Sequence, residues 1–223
     1  MTDRIAQGVT LLEARFGEPV WDGPRDPLTS LVGAILSQNT TDINRDRAFL
    51  AMRNQYPEWI HLLSADERQL AQVIRVAGLS NQRSIRILRL LRWAKERFGG
   101  FDLSEICTWD FDHALREFGE LPGIGIKTIA VTLLFACGHD LCPVDTHVFR
   151  VVGRLGWLGK PRSRDHAFRT LQGRFPKGKG YSLHLNLIRL GRQICAPRNP
   201  RCVECPLNID CDYFREFGQA RQR

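Results

Sequence analysis

Apolar residues recur at helical spacing along almost the whole chain. Between Leu28 and Leu36 they fall at positions i, i+3, i+4, i+7 and i+8, which places them on one face of a helix. The same pattern returns over residues 70–77, 85–98 and 183–194. No stretch alternates apolar and polar residues for long enough to indicate a convincing strand. We therefore predict an all-α fold, with roughly ten helices joined by short loops.

The chain is strongly basic, with a formal net charge of +8. From Arg150 to Cys195 there are eleven lysines or arginines against a single acidic residue, Asp165. A segment this one-sided favours contact with phosphate groups, although a solvated basic surface would have the same composition. The charge alone does not distinguish DNA from RNA or from a membrane surface.

No targeting segment is recognisable in the sequence. The N-terminal residues lack the apolar core of a secretory signal, and the longest apolar stretch, residues 129–138, is too short to span a bilayer. Seven cysteines in a chain that is not secreted are more typical of thiols or metal ligands than of disulfides. We therefore expect a cytoplasmic protein in a reducing compartment, without membrane association.

Four cysteines lie within 17 residues near the C-terminal end, namely Cys195, Cys202, Cys205 and Cys211. Thiolates this close in sequence can surround one metal centre. A structural zinc site usually has two Cys-x2-Cys pairs, whereas this segment has one, so the spacing favours iron–sulfur over zinc. The colour of the purified protein would separate the two, because an iron–sulfur cluster is yellow-brown and zinc is colourless.

The loop between the first two of these cysteines carries Arg198 and Arg201 and no acidic residue. It can be a turn with solvated charges. Alternatively, a metal centre with a structural role stiffens the loop, which then presses both arginines against DNA phosphates.

A glycine-containing turn, Leu121-Pro122-Gly123-Ile124-Gly125, precedes a helix predicted over residues 127–136. Glycines let the backbone approach a phosphate, and the start of the following helix points unpaired N–H groups toward it. A Gly-x-Gly sequence alone can be only a tight turn. With Leu121 and Ile124 as apolar anchors, it fits a helix–hairpin–helix motif that binds phosphates without reading sequence.

Two polar residues are candidates for chemistry. Lys127 falls in the first turn of the predicted helix, where the helix dipole disfavours a cation, lowers the pKa of the amine and makes it a better nucleophile. It could equally be an ordinary surface lysine. Asp145 precedes another helical pattern and is predicted to be its N-cap, a role that can leave one carboxylate oxygen for a substrate.

Together these motifs resemble the endonuclease III family within the helix–hairpin–helix DNA glycosylase superfamily. The resemblance covers roughly residues 5–215 and is carried, in order, by Leu36-Ser37-Gln38-Asn39-Thr40-Thr41-Asp42, Leu121-Pro122-Gly123-Ile124-Gly125-Ile126-Lys127-Thr128, Val144-Asp145-Thr146-His147-Val148-Phe149-Arg150 and the four cysteines. Each motif alone has moderate specificity, and the set in this order is highly specific.

The resemblance implies two helical lobes that flank a DNA-binding cleft. One lobe would be a six-helix barrel with the hairpin motif, over residues 21–139. The other would join residues 1–20 to 140–223 and hold a [4Fe-4S] cluster on the four cysteines. Lys127 and Asp145 would then face each other across the groove.

The resemblance also implies a bifunctional DNA N-glycosylase/AP lyase that excises oxidised pyrimidines in base excision repair. Lys127 would attack C1′ of a flipped nucleoside, and β-elimination would nick the strand, with Asp145 assisting base displacement. The expected partner of a monomeric protein is double-stranded DNA containing damaged pyrimidines or abasic sites. The expected DNA contacts are Gln38, Asn39, Leu79, Gly123, Gly125, His147, Arg150, Arg198 and Arg201.

Some residues depart from the family pattern. The enterobacterial type has Ser-Ala-Gln-Ala-Thr-Asp where this chain has Ser37-Gln38-Asn39-Thr40-Thr41-Asp42, so Asn39 occupies the position that fills the gap left by the flipped base, with Gln38 as its neighbour. Leu79 is retained as the apolar wedge, and Ile126 replaces an arginine common beside the lysine. These changes bear on substrate range. The other cysteines, Cys107, Cys137 and Cys142, match no family ligand and are predicted to be buried thiols.

Two alternatives differ in function. A monofunctional mismatch glycosylase is one, but such relatives carry Ser or Tyr at the position of Lys127. The other is a non-catalytic DNA-binding module with a structural cluster, which predicts salt-dependent binding to undamaged duplex without base release.

Overall fold

The computed structural model describes residues 2–218 and contains no β-strand in that range, which confirms the all-α prediction. The helices are α1 (Thr2–Phe16), α2 (Pro27–Ser37), α3 (Asp42–Gln55), α4 (Trp59–Leu63), α5 (Glu67–Val73), α6 (Ser80–Phe98), α7 (Phe111–Phe118), α8 (Ile126–Cys137), α9 (Thr146–Leu155), α10 (Arg164–Leu171) and α11 (Gly180–Gln193). Short 3₁₀ turns lie at Arg75–Ala77, Ser104–Thr108 and Cys202–Glu204, and a π-helical turn at Phe214–Gly218. Within residues 2–218, the helices all fall short of the length and apolarity that a membrane span requires.

The chain divides into two compact units. The central unit, Gly23–Cys137, contains α2 to α8. The terminal unit joins the residues up to Asp22 with those from Gly138 onward, and so contains α1, α9 to α11 and the cysteine-rich segment. The chain therefore leaves the terminal unit after its first helix and returns to it after α8.

The core of the central unit forms around α2, which packs against α8, α3 and α6. Its predicted apolar face is buried, with Leu28, Leu31 and Ile35 fully inaccessible to solvent. Burying each such side chain contributes about 1.5–3 kcal/mol. The helix starts where the Asp26 carboxylate accepts hydrogen bonds from two main-chain N–H groups. Pro27 follows at the first helical position, where the missing main-chain N–H costs nothing because that group would have no acceptor within the helix.

One predicted helix is divided in the structure. The apolar pattern over residues 70–77 indicated a single helix, but α5 ends at Val73 and a 3₁₀ turn covers Arg75–Ala77. Apolar spacing does not distinguish the two geometries over such a short segment, because i+3 and i+4 neighbours both stay on the buried side. Gly78 then ends the turn with φ +74°, a conformation that glycine adopts without a steric cost.

In the terminal unit, α11 packs against α9 and α1. The approach of α11 to α9 depends on Gly191, because a Cβ there would lie 2.9 Å from the Cβ of His147 and 3.2 Å from Nη2 of Arg150. The same closeness lets Arg150 Nη2 donate a 2.8 Å hydrogen bond to the Gly191 carbonyl.

The prediction that Cys107 and Cys137 are thiols was wrong, because the two are joined in a disulfide. The bond links the 3₁₀ turn Ser104–Thr108 to the last residue of α8, across 30 residues that include the hairpin. Sequence spacing did not reveal the pair, because only the contact of that turn with α8 brings the two residues together. The prediction for Cys142 is confirmed, since it is a buried free thiol.

Replacing both bridged cysteines with serine is expected to lower the free energy of unfolding by roughly 3–4 kcal/mol, since a cross-link over a loop of this length restricts the unfolded chain. Urea denaturation of wild type and of the Cys107→Ser/Cys137→Ser variant checks this. Reductant should destabilise the wild type and leave the variant nearly unchanged. Alkylation of the denatured, unreduced wild type should modify five cysteines, and modification of all seven would show that the bridge is absent.

Candidate active site and metal centre

The turn between α7 and α8 is closed by its own main chain. Leu121 N donates to the Phe118 carbonyl at 2.9 Å, and Ile124 N donates to the Leu121 carbonyl at 3.1 Å. Ile124 is only 4% exposed, so it anchors the turn in the central unit as predicted. α8 begins directly after Gly125, which places the helix start at the end of the turn.

The two glycines of the turn have different constraints. Gly123 has φ +87°, and a Cβ there would lie 2.5 Å from Cδ of Arg86, so the turn packs directly on the arginine side chain from α6. Gly125 is exposed, and a Cβ there would meet no heavy atom within 4 Å. Its main chain is therefore open to a ligand.

Lys127 is the second residue of α8 and is half-buried. The next two residues, Thr128 and Ile129, are buried, which fixes the helix on the unit. The side chain thus starts at the positive end of the helix dipole.

Asp145 is the N-cap of α9, as predicted: its Oδ1 accepts a 2.7 Å hydrogen bond from Val148 N. The carboxylate is half-buried and follows the buried residues Cys142, Pro143 and Val144. Burial, and then the negative charges of Asp145 and Asp140, raise the pKa of the Cys142 thiol. Cys142 therefore stays protonated and neutral next to the carboxylate.

Arg150, predicted to contact DNA, is bound to main-chain acceptors of its own unit. Its Nε donates to the Cys195 carbonyl at 3.0 Å, and its Nη2 also lies 3.2 Å from Nδ1 of His147, another predicted contact. Together with the bond to Gly191, these contacts tie α9 to the end of α11 and to the first cysteine.

Gln38 and Asn39, predicted to contact DNA at the position that fills the gap, differ in their contacts within the protein. The Gln38 side chain is bound at both ends, donating to the Gly123 carbonyl at 2.8 Å and accepting from Arg86 Nη1 at 2.7 Å. Asn39 is exposed, in a left-handed conformation with φ +54°. Leu79, the predicted wedge, is 51% exposed, with φ +48°.

The four predicted cysteine ligands line one recess of the terminal unit, whose apolar walls include Val151, Leu155, Leu190, Ile194 and Phe214. Burial, together with the negative charges of the other three cysteines, raises the pKa of the Cys205 thiol to about 11. Burial also raises the pKa of Cys211. Four thiolates in this recess would repel one another, and a positively charged metal centre would offset that repulsion.

The donor set therefore suits a thiolate-bound metal centre, with sulfur as the only ligand type. Within residues 2–218, however, no group of three or more His, Cys, Asp or Glu side chains is arranged so that it could hold a metal ion.

Arg154 contacts this recess, and the sequence reasoning missed it. Its Nη1 donates to Cys195 Sγ at 3.3 Å and to the Ala196 carbonyl at 2.7 Å, and the guanidinium stacks 4.5 Å above the Tyr213 ring. The sequence did contain an indication of this contact: Arg154 lies four residues after Arg150, so the two arginines share the face of α9 that meets the cysteines.

The two arginines of the cysteine loop are both exposed. Arg201 forms a 3.0 Å ion pair with Glu204 and donates to the Gln193 carbonyl, whereas Arg198 lies at the tip of the loop beside Asn199, which has φ +50°. An exposed ion pair contributes only about 0–1 kcal/mol, so it does not prevent Arg201 from moving to a phosphate.

Comparisons with known proteins agree with this architecture. The family model of HhH-GPD superfamily base excision DNA repair proteins matches residues 32–177. Endonuclease III from Thermotoga maritima is 31% identical over 198 residues, covering 89% of this chain and 88% of the relative. A thymine-DNA glycosylase from Aeropyrum pernix is 29% identical over 200 residues, covering 87% of this chain and 86% of the relative. A solved structure of a trapped endonuclease III–DNA covalent intermediate superposes with a TM-score of 0.83 at 26% identity, covering 100% of this chain and 99% of that one.

Proposed function

Because the chain belongs to the HhH-GPD superfamily of base excision DNA repair proteins, we propose that it is a bifunctional, endonuclease III-like enzyme that excises oxidised pyrimidines and then nicks the strand. The observation that carries the proposal is Lys127, an amine at the second position of the helix that follows the glycine turn. A glycosylase with a lysine there can form a covalent intermediate, which is what couples base release to strand cleavage.

In the proposed reaction, the Lys127 amine attacks C1′ of the damaged nucleotide. The bond from C1′ to the base breaks, and the base leaves with the bonding electrons and takes up a proton. The amine nitrogen loses one proton, and its electron pair then breaks the bond from C1′ to the ring oxygen O4′, which takes up a proton. The product is an open-chain sugar joined to Lys127 as a protonated Schiff base. Removal of a proton from C2′ then expels the 3′ phosphate, which is the β-elimination that nicks the strand. Base flipping must come first, because C1′ is shielded within the stacked duplex.

The placement of Lys127 supports its role as the nucleophile. The residue is half-buried in the first turn of α8, two residues after Gly125 of the turn that is proposed to bind a DNA phosphate. Only the uncharged amine has the electron pair that attacks C1′.

We assign Asp145 to the departure of the base. Its Oδ1 holds the start of α9, which fixes the carboxylate in one orientation. A fixed negative charge stabilises the positive charge that develops on the sugar as the bond to the base breaks, and the carboxylate can also accept a proton.

The glycine turn and the start of α8 are proposed to bind a DNA phosphate. The open main chain at Gly125 and the N–H groups of the first helical turn supply donors that do not depend on sequence. Arg198 and Arg201 would add phosphate contacts from the cysteine loop of the terminal unit.

Cys195, Cys202, Cys205 and Cys211 would hold a [4Fe-4S] cluster. When bound, the cluster supplies metal–thiolate links that fix the segment from the end of α11 to the π-helical turn. The protein's own part is to surround these links with apolar side chains and to hold the first cysteine through Arg150 and Arg154.

The Cys202→Ser variant is expected to lose the visible absorbance of the cluster and to melt at a lower temperature, because one of the four thiolates is removed. Absorbance spectra, iron and sulfide analysis and thermal unfolding check this. Cys142→Ala is the matched control, since Cys142 is buried away from the recess residues, and its spectrum should be that of wild type. Colourless wild-type protein containing zinc would contradict the assignment.

The proposed function is tested by incubating the purified protein with separate duplexes that contain thymine glycol, dihydrouracil, uracil, a G·T mismatch or an abasic site. We expect base release and nicking at thymine glycol and dihydrouracil, and nicking at the abasic site. Release at uracil or G·T without nicking would instead favour a monofunctional mismatch glycosylase, the candidate suggested by the thymine-DNA glycosylase relative. Salt-dependent binding with no release or nicking on any duplex would indicate a non-catalytic DNA-binding module.

A further inference from the structure

A buried arginine joins the two loops that carry Asn39 and Leu79. We propose that Arg83 is a positioning residue that holds these two side chains as a single insertion element, with Asn39 filling the space left by the flipped nucleotide and Gln38 serving as an internal anchor. The inference rests on the proposed function and adds to it the residue that sets the geometry of lesion reading.

Arg83 lies on α6 and is only 1% exposed. Its Nη1 donates to the Ala77 carbonyl and its Nη2 donates to the Gln38 carbonyl, so the two arms of one planar group reach two different loops. An arginine can span two acceptors in this way because its donors are fixed in a fork. Burial, and then the positive charge of Arg86, lower the pKa of Arg83, and the hydrogen bonds to the two carbonyls offset part of the loss of hydration.

The bridged carbonyls lie next to strained backbone. Gln38 directly precedes Asn39, and Ala77 lies two residues before Leu79. Asn39 and Leu79 are two of the three non-glycine residues with positive φ among residues 2–218, the third being Asn199 in the cysteine loop. Such a conformation costs about 1–3 kcal/mol and persists only where the surroundings hold it. The Arg83 bridge supplies that restraint for both loops at once.

The contacts of Gln38 and Asn39 assign them different roles. Both ends of the Gln38 amide are bound within the central unit, to Gly123 and Arg86, so entering DNA would break two hydrogen bonds. Asn39 is exposed and has a left-handed backbone conformation. Asn39 is therefore the side chain that can be inserted, and Gln38 links its loop to the phosphate-binding turn.

The proposal is tested with 2-aminopurine placed opposite thymine glycol. The fluorescence of 2-aminopurine rises when the base paired with it is flipped out and its own stacking is disturbed. Wild type is expected to give a rise that precedes base release. Arg83→Lys keeps the charge but replaces two donor nitrogens, each fixed on one carbonyl, with a single nitrogen on a flexible chain. We expect it to slow the rise and the single-turnover release about ten- to a hundredfold, since small displacements of inserting groups have effects of that size. Its affinity for undamaged duplex should stay near that of wild type, because the glycine turn is intact.

Arg92→Lys is the matched control, because Arg92 is exposed on the same helix and the chemical change is identical. It should behave as wild type. Asn39→Ala should slow the fluorescence rise, whereas Gln38→Ala should weaken binding to undamaged duplex. An Arg83→Lys rise at the wild-type rate, or the opposite pattern for Gln38 and Asn39, would overturn the proposal.

A second measurement leaves Arg83 in place and so stays informative if its variant folds poorly. It is a double-mutant cycle, in which the rate of the fluorescence rise is measured for Asn39→Ala, for Leu79→Ala and for the variant that carries both changes. Residues held as one element should be non-additive, the double variant being little slower than the slower single variant, and additive effects would overturn the proposal. If wild type gives neither a rise nor base release, the proposed function itself has failed. A wild-type rise that Arg83→Lys leaves unchanged removes only the role of Arg83.

Discussion

The Lys127→Ala variant is expected to lose strand nicking at an abasic site by about 10³-fold or more, because alanine has no amine to form the Schiff base. Binding of the same duplex should change little, since the phosphate-binding turn and the start of α8 do not depend on this side chain. The measurement is a single-turnover nicking assay on gels, with affinity measured in parallel.

Lys95→Ala is the control for this prediction, because Lys95 is an exposed lysine of α6 in the same unit. It removes the same charge and should nick at the wild-type rate. If Lys127→Ala nicks at that rate too, another residue is the nucleophile and the role assigned to the helix start is wrong.

Asp145→Asn is expected to slow base release about 10²- to 10³-fold while leaving the protein folded as before, because the change removes the charge and keeps an oxygen for the cap. Asp145→Ala removes both and should also lower the free energy of unfolding by about 1 kcal/mol. Comparing the two variants therefore separates the contribution of the charge from that of the cap. Base release is measured on thymine-glycol duplex, and stability by urea denaturation.

DNA affinity provides the check on this second prediction. Binding of Asp145→Asn to the lesion duplex should be near that of wild type, so that the loss appears in turnover. Should affinity fall by as much as turnover, Asp145 acts mainly as the cap of α9, and the carboxylate has no separate role in base departure.

Local signals in the sequence predicted the features that local chemistry determines. Asp145 was recognised as a cap because an aspartate before an apolar helical pattern can accept from the first free N–H groups, and the structure confirms that bond. The apolar pattern over residues 85–98 predicted the end of α6, which lies at Phe98 and is followed by Gly99 with φ +72°. The glycine turn before α8 was likewise predicted from its own residues.

Features that depend on distant parts of the chain were not predicted. The disulfide of Cys107 and Cys137 depends on the contact of a 3₁₀ turn with α8, and Arg83 reaches Gln38 across 45 positions of sequence. An arginine in an apolar helix pattern gives no indication of which carbonyls it will meet. Arg154, which donates to Cys195 across 41 positions, was missed for the same reason.

The most direct test of the lysine mechanism is borohydride trapping on duplex DNA that contains thymine glycol, followed by proteolysis and mass spectrometry of the cross-linked peptide. Borohydride reduces the Schiff base to a stable amine, so wild type should give a covalent protein–DNA adduct attached at Lys127. No adduct with wild type, attachment at another residue, or an undiminished adduct with Lys127→Ala would contradict the account.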